Sequence, residues 1–412
     1  MKLIFVCDNT AAAADANLNI CHRLACEMKR MGHDVILLGN CETQDVPLRE
    51  VIDGVEYRRF YYPINRITHA VLREYQKSRS KKKLLGMLLR HPVTAAVDVL
   101  RWLFGWNPIE CRYAREIRRA VRESKTDGVI ACGGSFYTIH ALAKTNVPCT
   151  RVGYMLDPYW KNHVTGGRRA YKEELFAWRR LDRMIIPPLL EKDYEAAPFA
   201  GLCKKRITAE FPGLVRGTEC SAENAEKERC GLLFAGNFYS DIRSPLPILQ
   251  LLGAIAPEEK LCLTVLGGMY GTFDAQTEAL VQRLEADGRL CMPGTVSFAA
   301  AQAAMRQAEI LVNLGNDIEN QMPSKLFEYF AAGRPIVHLQ RIENDPCIPY
   351  LERYPMALVL DERQSVQEKA RALVSFCHEF AGRRVPYSEV EQRFPACTPQ
   401  FVAQQLLEAV RA

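Results

Sequence analysis

Short, unbroken apolar runs recur along the chain, separated by stretches in which apolar residues return every third or fourth position. The first run, "KLIFVC", stops at Asp8. In "NLNICHRLACEMKRMGHDVILLG", Ile20, Leu24, Met28 and Met31 fall at helical spacing, Gly32 is a helix-ending residue, and "DVILLG" is strand-like again. The pattern predicts one β-α-β unit. "DGVIAC" running into Gly133 and Gly134, "TRVGYMLDP" ending in Asp157 and Pro158, and "LDRMIIPP" ending in Pro187 and Pro188 predict three more strands. Strands that are apolar throughout, with helices between them, belong to a parallel sheet covered on both faces. This half extends to about residue 215.

The polar segment 216–229, "RGTECSAENAEKER", has no periodic stripe and reads as a linker. Beyond it "GLLFAG", "KLCLTVLG", "EILVNLG", "PIVHL" and "MALVL" alternate with helical stretches, which predicts a second doubly wound domain. The last stretch, "FVAQQLLEAVRA", carries a Val402, Leu406, Ala409, Val410 stripe that needs a surface to pack on. Residues 66–123 follow neither rhythm. Pro92 separates a basic piece from "VTAAVDVLRWLFGW", where Val93, Val97, Leu100 and Phe104 form one apolar face, so a helical insertion is the simplest account. The predicted domains are 1–215, with the insertion at about 66–123 and joined by the C-terminal helix 396–412, and 216–395.

Composition supports this division. At 412 residues the chain exceeds what one hydrophobic core usually serves. Hydrophobic residues at 48% and charged residues at 25% exclude a disordered chain, and no fixed-period repeat is present. The N-terminal apolar run is too short for a signal-peptide core, and no later run reaches the roughly 18 residues of a membrane span, so a cytosolic protein is expected. The 15 cysteines are scattered, without a C-x-x-C pair, and fit reduced core thiols better than disulfides or a zinc site. The net charge of +6 is concentrated: from Arg66 to Arg90 eight Lys/Arg face one acid, Glu74. The rest is near neutral, so no nucleic-acid footprint is expected.

The segment 322–337, "MPSKLFEYFAAGRPIV", concentrates the candidate chemistry. Ser324 is the expected N-cap of a helix from Lys325 to Ala332, which Gly333 ends and Pro335 keeps from resuming. Leu326, Phe327, Phe330 and Ala331 share the face expected on the sheet. In an open α/β sheet the crevice lies beyond the carboxyl ends of the strands, where helix N-termini begin. Backbone N–H groups at Ser324 and Lys325, with the positive end of the helix dipole, suit an anion such as pyrophosphate. Glu328, one turn on, suits the hydroxyls of a ribose. Taken alone, this spacing describes a solvated helix carboxylate equally well. Asp157 and the pair Asp8 and Asn9 end strands of the first half and are candidates to face its crevice, and Asp157 reads equally as a turn residue before Pro158.

With these motifs in place, the chain resembles the GT-B glycosyltransferases, in particular the family-4-like enzymes that build bacterial cell-surface glycans. "MPSKLFEYFAAGRPIV" looks like their donor-site segment. "GLLFAGNFYSDIRSP" resembles the strand-glycine-loop that opens their C-terminal domain, and "VLGG" and "EILVNLGN" match the next crevice loop and the strand before the donor helix. "GHDVILLG" is similar to their second strand, and "YMLDPYWKN" looks like a segment of related bacterial enzymes. The resemblance implies an α/β fold of two Rossmann-like doubly wound parallel-sheet domains facing an interdomain cleft. It implies transfer of a sugar from a nucleotide-diphosphate sugar to a glycan or lipid-linked acceptor in cell-surface polysaccharide synthesis, usually with retention, with no cofactor and no tightly bound metal; no D-x-D triplet is present. The implied donor-binding residues are Gly236, Asn237, Gly267, Gly268, Asn320, Ser324, Lys325 and Glu328. Asp157, Arg243 and Lys325 are the catalytic candidates, the two cations stabilising the departing diphosphate. Asp8 and Asn9 are the acceptor-side candidates. The lysine run and leucines of 77–90 suit an interfacial helix at the inner membrane face, or a solvated helix packed on its leucines.

Two departures from the family's pattern stand out. Asn320 occupies the position eight before Glu328 where many members carry a second glutamate, and "DNTAAAADAN" follows the first strand where many carry a glycine pair. They motivate one alternative, a catalytically silent protein of this architecture that binds a partner glycosyltransferase or glycan; a sugar-nucleotide epimerase of the same architecture is another. His140, in "FYTIHALA", is expected inside a helix in a structural role. The absence of G-x-G-x-x-G and G-x-x-x-x-G-K-[ST] argues against oxidoreductase and P-loop readings.

Overall fold

The computed structural model describes residues 1–10, 16–41, 45–62, 107–133, 136–162, 166–217, 230–240 and 243–411. The basic run within 77–90, most of the expected insertion, the alanine-rich loop after the first strand, Gly134 and most of the 216–229 linker lie outside the described residues. Among the described residues one compact unit runs to Pro212 and includes the last stretch from Ala396; the other is Gly213–Pro395. No helix among them is long and apolar enough to cross a membrane.

The first unit holds one sheet of β1 (Lys2–Asn9), β2 (Asp34–Cys41), β3 (Arg49–Ile52), β4 (Val55–Tyr61), β5 (Gly128–Cys132), β6 (Thr150–Tyr154), β7 (Arg183–Ile186) and β8 (Arg206–Thr208). The order is β3-β4-β2-β1-β5-β6-β7-β8, parallel except for the β3-β4 hairpin. On β1, Leu3, Phe5 and Cys7 enter one core while Ile4 and Val6 enter the other, which is why the run is apolar without alternation. Helix α1 (Ala16–Arg30) covers the first face with Leu24 and Met28. On the opposite face lie α2 (Pro108–Ser124), α3 (Tyr137–Ala143) and α4 (Arg168–Arg180).

Helix α2 corrects the expected insertion. Asn107 caps it by accepting the Ile109 N–H, Pro108 takes the first turn, and Tyr113, Ile117 and Val121 are buried in the sheet core. Residues 108–124 thus form a helix of the first unit's core between β4 and β5 in the chain. The hairpin "REVIDGVEYRRFYY" was also absent from the expected elements; its Asp53-Gly54 turn has φ of +50° and +78°, the geometry that a two-residue hairpin demands.

The second unit has a parallel sheet of β9 (Cys230–Phe234), β11 (Leu261–Val265), β13 (Leu290–Cys291), β14 (Ile310–Leu314), β15 (Ile336–Gln340) and β16 (Ala357–Asp361), in the order β13-β11-β9-β14-β15-β16. A separate two-stranded parallel pair joins β10 (Phe238–Tyr239) to β12 (Met269–Tyr270). The helices are α5 (Leu246–Ala254), α6 (Ala275–Ala286), α7 (Phe298–Gln307), α8 (Lys325–Ala332), α9 (Ile348–Leu351), α10 (Val366–Phe380) and α11 (Tyr387–Arg393). The final helix, α12 (Pro399–Arg411), belongs to the first unit, where Val402, Leu406, Ala409 and Val410 are buried in the core that also holds Leu24. Each sheet reverses its winding at a central strand, β1/β5 in one and β9/β14 in the other. The carboxyl ends of these pairs are where open α/β sheets bind ligands.

Candidate functional site

In the second unit the loops after β9 and β11 are zipped together. Asn237 Oδ1 accepts the Gly268 N–H at 2.9 Å, and Phe238 N–H donates to the Gly268 carbonyl at 2.9 Å. A Cβ on Gly267 would collide with the carbonyl of Gly236, and one on Gly236 would lie 2.8 Å from the Phe234 ring. The close approach these glycines permit is between the two loops themselves, so packing within the chain already accounts for them. Gly268 faces the Tyr270 ring, 3.2 Å from a Cβ there.

Arg243 follows on the same loop and meets the neighbouring strand's loop. Asn316, two residues past β14, accepts Arg243 Nη2 at 2.6 Å and Nε at 3.2 Å on its Oδ1, and donates from Nδ2 to the Gln321 carbonyl at 2.8 Å. Partial burial pulls the Arg243 guanidinium below its usual pKa while leaving it a cation near neutral pH. Asn320 is half-buried beside Gln321.

Helix α8 begins at Lys325 and stops at Gly333, φ +69°, as its sequence predicts. Ser324 departs from expectation. Its backbone is already helical and its side chain makes no capping hydrogen bond. Leu326, Phe327 and Phe330 are buried as expected; Tyr329 joins them, whereas Ala331 is half-buried. Lys325 Nζ donates to Glu328 Oε2 at 2.8 Å and stands 5.4 Å over the Phe298 ring. The same carboxylate oxygen accepts from Gln302 Nε2 on α7. With its side chain 12% exposed, Glu328 is a held carboxylate at the first turn of α8 and not a freely solvated one.

Tyr329, next to Glu328 on α8, lies within electrostatic reach of Arg243. Its hydroxyl accepts the Ala235 N–H at 2.8 Å, at the root of the β9 loop. Burial pushes its phenol above the usual range, the Glu328 carboxylate adds to the rise and the Arg243 guanidinium opposes it. Below this lies a closed polar network. The Asn313 amide donates to His338 Nδ1 at 2.8 Å, leaving Nε2–H for Asp345 Oδ2 at 3.0 Å, and Asp345 Oδ1 accepts the Cys347 N–H at 2.8 Å. Burial pushes the Asp345 carboxyl up, but these partners more than offset it and hold it below the usual range. Gly315 is required there because a Cβ would strike Asp345.

In the first unit Asp8 is the penultimate residue of β1, at the switch point. It is buried, and its carboxylate rests against Gly133 at the end of β5, where a Cβ would collide with it. The Tyr113 hydroxyl clamps this corner, 2.6 Å from the Asp8 carbonyl and accepting the Asn40 N–H at 3.0 Å. Asn9 is half-buried and pairs in register with Asn40. Asp157, half-buried, lies three residues past β6 on a bend before Tyr159, whose ring stacks on Phe136 at 4.3 Å. His140 is a buried structural residue of α3, its Nδ1 3.0 Å from Glu110 Oε2, which Lys144 also reaches at 2.7 Å.

Three contributors to the site escaped the sequence reading: Gln302, Asn316 and Tyr329. Asn316 carried a usable signal, since it stands two residues past a central strand in "ILVNLGN". Gln302 had little, as a lone amide in the alanine-rich "FAAAQAAMRQ".

No protein-family model and no curated protein matches the chain in sequence. Solved structures do match it over its whole length. A sucrose-phosphate synthase from Thermosynechococcus elongatus superposes with a TM-score of 0.63 at 11% identity, covering 100% of this chain and 98% of that one. HepE of Anabaena, solved in complex with UDP, gives 0.61 at 11%, covering both chains fully. WaaG, a glycosyltransferase involved in lipopolysaccharide biosynthesis, gives 0.55 at 13%, covering 99% of each. The chain has the GT-B fold, two Rossmann-like units each built on a parallel sheet.

Proposed function

We propose that the protein is a glycosyltransferase that takes a sugar from a nucleotide-diphosphate sugar and delivers it, with retention and without a metal at the donor site, to a glycan or lipid-linked acceptor in cell-surface polysaccharide synthesis. The observation that carries this reading is the grouping of Arg243, Lys325 and Glu328 around Tyr329 at the carboxyl ends of β9 and β14. Departure of the nucleoside diphosphate leaves negative charge on its phosphates. Two cations fixed before the reaction, with the N-terminus of α8, stabilise that charge without reorganisation. Glu328 takes the ribose hydroxyls on its Oε1 while Oε2 stays with Lys325 and Gln302.

Asn237, Gly236, Gly267 and Gly268 shape the wall of the donor crevice, and Asn320 and Ser324 line the approach to α8. On the other unit Asp157, Asp8 and Asn9 serve the acceptor and the reacting centre. The reading places the protein in the cytoplasm, with the basic segment 77–90 against the anionic inner membrane face. Similarity in fold to a UDP-bound structure and to a lipopolysaccharide enzyme supports the donor and acceptor classes.

The test is calorimetric titration of wild type and Glu328→Ala with UDP and GDP, followed by a transfer assay. Absence of binding of either nucleotide at millimolar concentration overturns the donor site. Interconversion of the free sugar nucleotide without acceptor identifies an epimerase, and no turnover of any donor identifies a silent binding protein. Replacing Lys81, Lys82 and Lys83 by glutamate releases the protein from anionic vesicles if the membrane placement holds.

A further inference from the structure

His22, Cys26 and Asp53 bring an imidazole, a thiol and a carboxylate to one point on the first unit. His22 and Cys26 are one turn apart on α1 and so share a face, and Asp53 reaches them from the β3-β4 turn. His22 Nε2 is 3.0 Å from Asp53 Oδ2 and 3.5 Å from Cys26 Sγ, and all three donor atoms lie within 4.8 Å of one another. Around a tetrahedral zinc with bonds of about 2.0–2.3 Å, neighbouring ligand atoms stand roughly 3.3–3.7 Å apart. The two separations at Nε2 are already near those values.

The second ring nitrogen is also held. His22 Nδ1 lies 2.8 Å from the Tyr57 hydroxyl. Tyr57 is buried, with the Arg59 guanidinium 4.7 Å over its ring, and Arg59 is anchored by hydrogen bonds to the carbonyls of Thr10 at 3.0 Å and Pro47 at 2.8 Å. A metal-ligating histidine characteristically gives its other N–H to such a fixed acceptor, which sets both ring orientation and tautomer.

We propose that His22 Nε2, Cys26 Sγ and the Asp53 carboxylate bind a zinc-type divalent cation, with Tyr57 as the residue that positions the imidazole. The mixed nitrogen, sulfur and oxygen set favours zinc over the hard cations magnesium and calcium. Without the ion, Nε2–H donates to Asp53; with it, Nε2 turns to the metal, Nδ1–H donates to Tyr57 Oη, and the Cys26 thiol releases its proton. The ion has a route from solvent, because Asp53 is exposed and His22 and Cys26 are half-buried. The other compatible trio among the described residues, His338, Asp345 and Cys347, is fully buried and its donors are engaged with one another and with Asn313. Binding clamps α1 to the β3-β4 hairpin. The pattern escaped the sequence reading because H-x-x-x-C on a helix plus a turn aspartate matches no C-x-x-C template.

The experiment titrates the full-length, reduced, chelator-treated protein with Co²⁺. Expected is one equivalent giving a thiolate-to-cobalt charge-transfer band and the strong visible bands of four-coordinate cobalt, with zinc displacing it. Cys26→Ser abolishes the charge-transfer band with an unchanged far-UV circular dichroism spectrum, and Tyr57→Phe keeps the band but weakens affinity about 10–100-fold. No saturable band in wild type, or a band that survives unchanged in Cys26→Ser or His22→Gln, overturns the site. A zinc-induced rise in Tm that is equal in wild type and Cys26→Ser overturns it too. Unchanged affinity in Tyr57→Phe removes Tyr57 from its positioning role.

Discussion

Asn316 holds Arg243 through a single oxygen, accepting both Nη2 at 2.6 Å and Nε at 3.2 Å, and so couples the loop after β9 to the loop after β14 across the switch point. The contact aims the guanidinium without neutralising it, because the acceptor is an amide. Asn316→Asp preserves shape and supplies a counter-charge. It is expected to weaken UDP binding about tenfold or more, while uridine, which carries no phosphate, binds as before; Arg243→Ala shows the same selectivity. Calorimetry with both ligands decides. Equal losses for UDP and uridine would mean that Arg243 does not meet phosphate.

On the proposed reading, Lys325 meets the donor's phosphates and Glu328 its ribose. Lys325→Ala is expected to reduce UDP affinity more than uridine affinity, because Lys325 both meets phosphate and holds Glu328, whereas Glu328→Gln reduces both, since the ribose is common to them. Gln302→Leu leaves Glu328 with Lys325 alone and removes a hydrogen bond to a charged group, about 1.5–3 kcal/mol of stability, and by loosening the carboxylate is expected to lower affinity for both ligands. A Gln302→Leu protein that binds both ligands as tightly as wild type would show that this contact does not shape the pocket.

How much of this was legible in the sequence follows from the range of the forces involved. Buried parallel strands are apolar over their whole length, so β1, β2, β5, β9, β11, β14 and β15 stand out in one dimension, as do Gly333 and the stripe of α12. The hairpin β3-β4 was equally legible through its Asp53-Gly54 turn and its alternation, but the expectation of parallel strands passed over it. Helix α2 was assigned to the insertion because its apolar stripe follows directly on another helical face, that of Val93, Val97, Leu100 and Phe104. Lys325 and Glu328 are one helical turn apart, so their meeting is local. Gln302 and Asn316 act through partners 26 and 73 residues away, and nothing in a single sequence brings such pairs together.

Gly267 tests whether the loop zipper matters. A Cβ there strikes the backbone carbonyl of Gly236, which has no flexible side chain to move aside. Gly267→Ala is expected to force the β10-β12 pair apart, costing about 1–3 kcal/mol of stability by overpacking and weakening UDP binding. Gly201→Ala, where nothing lies within 4 Å, is the matched control and is expected to be neutral. Urea denaturation of both variants checks this, and equal stabilities would refute the zipper.

Glu174 carries a pH dependence with a definite sign. It is fully buried on α4, where its carboxyl accepts the Trp160 N–H at 3.0 Å and the Tyr194 hydroxyl. Burial pushes its pKa up to about 7; those two hydrogen bonds pull the other way, and the charge of Asp193 adds to the rise. In the unfolded chain the same group titrates near 4.5. Between these values the folded protein binds the proton and the unfolded chain does not, so the contribution is fully present below about 4.5 and is lost as pH rises through 7. A shift of this size corresponds to something on the order of 3 kcal/mol. Glu174→Gln removes the titration, so the stability of wild type minus that of the variant is expected to fall by that order between pH 4.5 and 8. Urea denaturation followed by tryptophan fluorescence is the natural probe, since Trp160 and Trp178 both belong to the aromatic cluster around this group. A flat difference across that range would mean that Glu174 is ionised throughout.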